Sequence, residues 1–219
     1  MPRVLFEKTG SAIWISHLDL MRMFQRAFKR AGLALKHSQG FNPRPSVSIA
    51  LPLSVGVESH CELLDFELEG ESIPNERILE GLNRSLVEGV RVLDVYDDAA
   101  KLKHLALLRC CVTLEYDAGI PEGAAEELTA LFARDGLIVE KKGKNGITEQ
   151  NIIPMIRSLA VTARDSHTLA LEALICCQNP TLNPMQLASA VEKYLPHLRP
   201  DFTRCARMEV YNADETIFR

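Results

Sequence analysis

The chain has 219 residues, of which 47% are hydrophobic and 25% charged, an ordinary globular composition that excludes a disordered or fibrous protein. That length suits one large domain or two of about 100 residues; no apolar run reaches the roughly 18 residues of a membrane span and the first residues are no signal peptide, so a soluble, cytoplasmic protein without membrane contact is expected. The formal charge of −4 is unevenly spread: residues 1–58 hold eight Lys and Arg against Glu7, Asp19 and Glu58, a surplus of five, which leaves −9 for the remainder.

Residues 3–6 and 13–15 flank Thr9, Gly10 and Ser11, and are expected as two short strands or one strand bent at the glycine. Ser16 then caps a helix, with Asp19 three residues on completing a capping-box-like pair. The helix runs to about Ala31 and stops at Gly32, with Leu20, Phe24, Ala27, Phe28 and Ala31 recurring at helical spacing as its buried face. On another face Arg22, Arg26, Lys29 and Arg30 fall in a narrow arc and form a cationic stripe.

A loop over 36–45 follows. Val47, Ile49 and Leu51 then alternate with Ser46, Ser48 and Ala50 as in a half-buried strand. A further strand is expected over 61–68, a helix over 75–86 and a strand over 90–95, giving the order βαββαβ. Residues 97–101 read as a linker. The second half repeats the pattern, with strands over 104–116 and 137–141, helices over 121–134 and 184–194, a hairpin of 151–164 with 168–177, and a closing strand over 202–211. The expected fold is α+β: two tandem ferredoxin-like domains, 1–98 and 104–219, with antiparallel sheets and helices on one face.

The most unusual segment is His37-Ser38-Gln39-Gly40-Phe41-Asn42-Pro43-Arg44-Pro45. Gly40 permits a positive φ and close approach of a partner, and the two prolines stiffen the backbone. Ser38, Gln39, Asn42 and Arg44 add hydrogen-bonding groups, and Phe41 offers a face for stacking, a mixture suited to a phosphate backbone and an unstacked base. The alternative is a rigid connection with Phe41 plugging the core. His17 beside Asp19 reads first as a helix start, with phosphate contact at the helix N-terminus or proton transfer as alternatives.

Of the cysteines, Cys61, Cys110, Cys111, Cys176, Cys177 and Cys205, none has C-x-x-C spacing. Neighbours on a strand point to opposite faces, so Cys110-Cys111 and Cys176-Cys177 are expected as buried reduced thiols, and no metal site is expected. Neither G-x-G-x-x-G nor a P-loop is present, and no cofactor is expected. The run from Lys141 to Gly146 reads as an exposed hairpin-like loop, with a second anion contact as the alternative.

Lys8-Thr9-Gly10, Ser16-His17-Leu18-Asp19-Leu20-Met21-Arg22, Arg30-Ala31-Gly32-Leu33, Ser38-Gln39-Gly40-Phe41-Asn42-Pro43 and the stretch 51–59 together resemble the radical SAM-linked protein family. It is an uncharacterized bacterial family encoded beside or fused to a cobalamin-binding radical SAM protein. The resemblance lies mainly in residues 5–70 and implies a radical SAM protein as companion. This chain lacks the C-x-x-x-C-x-x-C of the radical enzyme itself. Where that family often shows histidine, this chain has Arg44, which fits an anion contact. The tandem architecture also resembles that of CRISPR repeat-processing endoribonucleases, although the acidic, glycine-free segment 212–216 replaces their C-terminal glycine-rich loop.

The expected function is an accessory module that binds RNA or presents a substrate to a radical SAM enzyme and is not catalytic on its own. Its RNA or anion contacts would be Lys8, His17, Arg22, Arg26, Arg30, Ser38, Gln39, Gly40, Phe41, Asn42 and Arg44. The alternatives are a metal-independent endoribonuclease using His17 or His37 as acid or base, with Lys8 or Arg44 stabilising phosphate charge, and a protein-protein adaptor without RNA binding.

Overall fold

The computed structural model describes residues 1–143 and 146–219. By its internal contacts the chain divides into two compact units, Met1–Leu102 with Arg219, and Lys103–Phe218. Both are mixed α+β with antiparallel strand pairing.

In the first unit β1 (Arg3–Lys8) leads to α1 (His17–Arg30), then β2 (Val47–Ile49), β3 (Glu58–Phe66), α2 (Asn75–Asn83) and β4 (Val90–Tyr96). The strands lie in the order β4-β1-β3-β2. The helix α1 forms where apolar spacing and caps agree. The Ser16 hydroxyl accepts from the Asp19 N–H at 3.2 Å and donates to its carboxylate at 2.8 Å, while Leu33 N–H returns to Phe28 O at 2.9 Å past Gly32, closing the last turn.

Leu20, Phe24, Ala27 and Phe28 are buried from that helix. Phe24 meets Phe6 of β1 edge-on with centroids 4.7 Å apart, and Phe28 lies 5.0 Å from Phe66 of β3. Fully burying one such ring contributes about 1.5–3 kcal/mol. These contacts fix α1 across the sheet, leaving its cationic side outward.

Residues 13–15 are no strand. The segment Gly10–Trp14 is a 3-10 helix, because Thr9 N–H donates to Gly89 O at 2.7 Å and Lys8 Nζ to Ile13 O at 2.9 Å, folding the apolar run back on itself. Gly89 is required there: with φ at +81°, a Cβ would stand 2.4 Å from Thr9 O. The helix expected to Leu86 ends at Asn83, and Leu86 packs on the core from the following turn.

In the second unit β5 (Leu107–Glu115), α3 (Ala124–Phe132), β6 (Ile138–Gly143), β7 (Gly146–Asn151), β8 (Ile156–Ala163), β9 (Thr168–Cys176), α4 (Met185–Tyr194) and β10 (Phe202–Tyr211) follow in turn. The order β10-β5-β9-β8 mirrors that of the first unit, last strand beside first, third and then second. The strand expected over 137–141 does not join it. β6 pairs instead with β7 as a separate hairpin, and the expected strand over 151–164 divides into the end of β7, a 3-10 turn and β8.

Side chains of α4 dock that hairpin. Lys193 Nζ donates to Ile138 O at 2.9 Å, and the buried Gln186 amide donates to Glu140 O at 3.0 Å and accepts from Gln150 at 2.9 Å. The strand expected over 104–116 begins later, after a 3-10 turn at Leu102–His104. Of the basic run from Lys141 to Gly146, Lys144 and Asn145 lie outside the described residues. No described helix is long and apolar enough to cross a membrane.

Candidate functional site

The loop after α1 is built as a narrow neck with an open tip. Lys36 N–H donates to Glu67 O at 2.9 Å, Ser46 N–H to Lys36 O at 2.7 Å and Ser38 N–H to Arg44 O at 2.9 Å. The Ser38 hydroxyl accepts from Arg44 N–H at 3.0 Å. Ser38 thus pins the neck rather than offering its oxygen outward. The tip turns at Gly40, whose φ of +132° suits glycine alone.

Gln39, Asn42 and Arg44 are exposed, and the Phe41 ring is fully so, at 104%. This overturns the alternative in which Phe41 plugs the core. A solvated phenyl ring on a pinned turn gives up apolar burial, and it is available for stacking.

Beside the neck, a groove of about 540 Å³ lies between α1 and the loop, lined among others by Gln25, Lys29, Leu33, Leu35, His37 and Glu69. Leu33 and Leu35 are buried as its floor. His37 Nδ1 stands 3.8 Å from Glu69 Oε1, beyond hydrogen-bond distance. No described residue engages the side chains of Gln25 or Lys29, so the groove presents a free amide, a free ammonium and a carboxylate over an apolar base.

The cationic stripe of α1 is only partly directed here. Arg22 donates to Asp19 at 3.1 Å, and the Ser16 hydroxyl followed by the Arg22 guanidinium hold the Asp19 carboxyl below its ordinary range. Arg30 turns away to donate to the carbonyl of Ser85. Lys36 pairs with Glu67 at 3.2 Å. Lys8, expected as a phosphate contact, is fully buried against the Ile13 carbonyl and is removed from the surface. Arg26, Lys29 and Arg44 remain without an ion pair among the described residues.

His17 begins α1, whereas the groove with His37 is reached at Gln25 and Lys29. Twelve residues of helix separate His17 from Lys29, about 18 Å of rise, so the two histidines do not serve one phosphate together. Gln25 and Glu69 were not singled out by sequence. Gln25 carried a usable signal, one turn before Lys29 on the same face, whereas Glu69 enters through its main-chain bond to Ala34 O at 2.8 Å, which leaves no trace in spacing.

A larger groove of about 940 Å³ lies in the second unit between β6 and α4. Its donors are mostly occupied within the protein: Lys141 donates to Thr181 O at 3.2 Å, Lys193 to Ile138 O, and Gln186 to Glu140 O, which leaves the carboxylates of Glu140 and Glu192 as its open polar groups. The smaller groove differs in offering unengaged donors, Gln25 and Lys29, as well as a carboxylate. No group of metal-binding side chains occurs among the described residues.

A family model described as an uncharacterized protein conserved in bacteria, DUF2344, matches residues 2–184. The chain belongs to this family. The DUF2344 match includes α1, the loop and the whole groove, while α4 and β10 lie past its end. No curated protein matches the chain. Among solved structures it is similar to an unknown protein from Galdieria sulphuraria, with 11% identity over 94% of this chain and 96% of that one and a TM-score of 0.27.

Proposed function

We propose that the first unit binds single-stranded RNA through the exposed loop and its groove, and that the chain acts as an accessory module presenting that RNA to a radical SAM enzyme. The observation that carries the RNA reading is the fully exposed Phe41 on a pinned turn, with the unpaired Arg44 in the same loop and Lys29 in the groove beside its neck. Stacking on an aromatic ring contributes about 1–3 kcal/mol per base, and cations hold the flanking phosphates. Support for the enzyme partner comes from the resemblance of residues 16–22 and 38–43 to the radical SAM-linked family. The element order of the two units supports a tandem ferredoxin-like arrangement.

Fluorescence anisotropy with short uridine-rich RNA tests the binding. With Arg26, Lys29 and Arg44 as the phosphate contacts, the logarithm of affinity falls with the logarithm of salt at a slope of about −2. Phe41→Ala then weakens binding about tenfold, an effect that persists at high salt. Absence of binding at low salt would reject the proposal. Copurification with the radical SAM protein that survives nuclease, without RNA affinity, would select an adaptor instead.

His37 3.8 Å from Glu69 in the groove favours a second reading as a ribonuclease, since long contacts of this kind tighten to hydrogen bonds when substrate binds and the carboxylate would then orient the imidazole for proton transfer. RNA cleaved by the intact chain and spared by His37→Ala supports it; RNA bound and left whole rejects it.

A further inference from the structure

We infer that the groove beside the loop is a guanine-selective base pocket, an inference that rests on the RNA-binding function proposed above. The volume of about 540 Å³ falls within the range of small-ligand sites, and a mostly apolar base with few convergent polar groups is their usual make-up. The polar set here has a particular sense. Glu69 offers an acceptor-only carboxylate, and the imidazole nearest it, His37, stands 3.8 Å off, outside hydrogen-bond reach. Lys29 offers donors only, and Gln25 offers both.

Guanine alone among the four bases presents two donors side by side, its ring N–H and exocyclic amino group, next to a carbonyl acceptor. Two adjacent donors match the two oxygens of Glu69, and the neighbouring O6 and N7 take the ammonium of Lys29 or the amide of Gln25. Adenine and cytosine each bring a single donor group beside a ring acceptor, which would face the carboxylate. Uracil brings one N–H between two carbonyls. Phe41, exposed at the tip of the same loop, is left to stack with any neighbouring base.

The test uses the full chain and uridine octamers carrying one central guanosine, inosine, adenosine or cytidine. Inosine keeps the ring N–H and O6 and lacks only the 2-amino group. The guanosine octamer is expected to bind about tenfold more tightly than the inosine one, and Glu69→Gln to level the two. Glu69 is more than half exposed, at 58%, so this variant is expected to keep the fold, with an unchanged circular dichroism spectrum as the check. Equal affinity for all four octamers, unchanged in Glu69→Gln, overturns guanine selectivity and leaves RNA binding standing. Binding of none of them overturns both.

Discussion

Arg3 and Asp65 show how much of the basic N-terminal sequence is structural. Arg3 is 2% exposed and joined to Asp65 by two hydrogen bonds, Nε to Oδ1 at 2.6 Å and Nη2 to Oδ2 at 3.2 Å. Removing Asp65 takes the paired carboxylate away from a buried guanidinium, so Asp65→Ala is expected to lower unfolding free energy by up to about 3 kcal/mol in urea titrations. The cysteines illustrate the same point for thiols. Burial pushes Cys177 and Cys205 up to about 12, opposed by Arg207, which makes both poor nucleophiles at neutral pH. The unfolded thiols lose their protons near pH 9 and the folded ones near 12, so the folded state binds more protons between these values. These groups therefore leave stability intact below pH 9 and lower it progressively as pH rises toward 12. Thermal melts of wild type against Cys177→Ala and Cys205→Ala should show this alkaline loss diminished in the variants; identical pH slopes would contradict it.

Among the elements, β4 shows how an edge strand is blocked. The Asn83 amide at the end of α2 accepts from Val92 N–H at 2.8 Å and donates to Val92 O at 3.0 Å, standing in for a neighbouring strand. Asn83→Ala is expected to cost about 1–3 kcal/mol, by leaving both backbone groups unmet, and to increase aggregation measured by light scattering. Such pairings across distant residues are what sequence conceals. The helix α1 was legible because a period, a cap at Ser16 and a stop at Gly32 all agreed. The 3-10 segment at 10–14 was misread because Ile13, Trp14 and Ile15 have strand-like chemistry, while its conformation is set by Gly89 and Lys8. β6 was legible as a strand, but its pairing with β7 was not, because a strand pattern does not name its partner. The tip of the loop was recognisable from Gly40 and its prolines, whereas the exposure of Phe41 depended on the neck formed by Ser38 and Arg44.

For the whole molecule, the charge asymmetry in sequence overstates the available cationic surface. Burial of Arg3 and Lys8, the pairing of Arg22 and Lys36, and the turning of Arg30 to a carbonyl leave Arg26, Lys29 and Arg44 as the unpaired cations of that segment among the described residues. On the proposed reading, a surface with three such charges would bind through stacking and a shaped groove as much as through field strength. Ultraviolet crosslinking of a short single-stranded RNA to the full chain, with the adducts located by mass spectrometry, tests this most directly. Adducts are predicted on Phe41 and within residues 36–45. Adducts confined to residues 103–218, or bound RNA that leaves 36–45 unmodified, would contradict it.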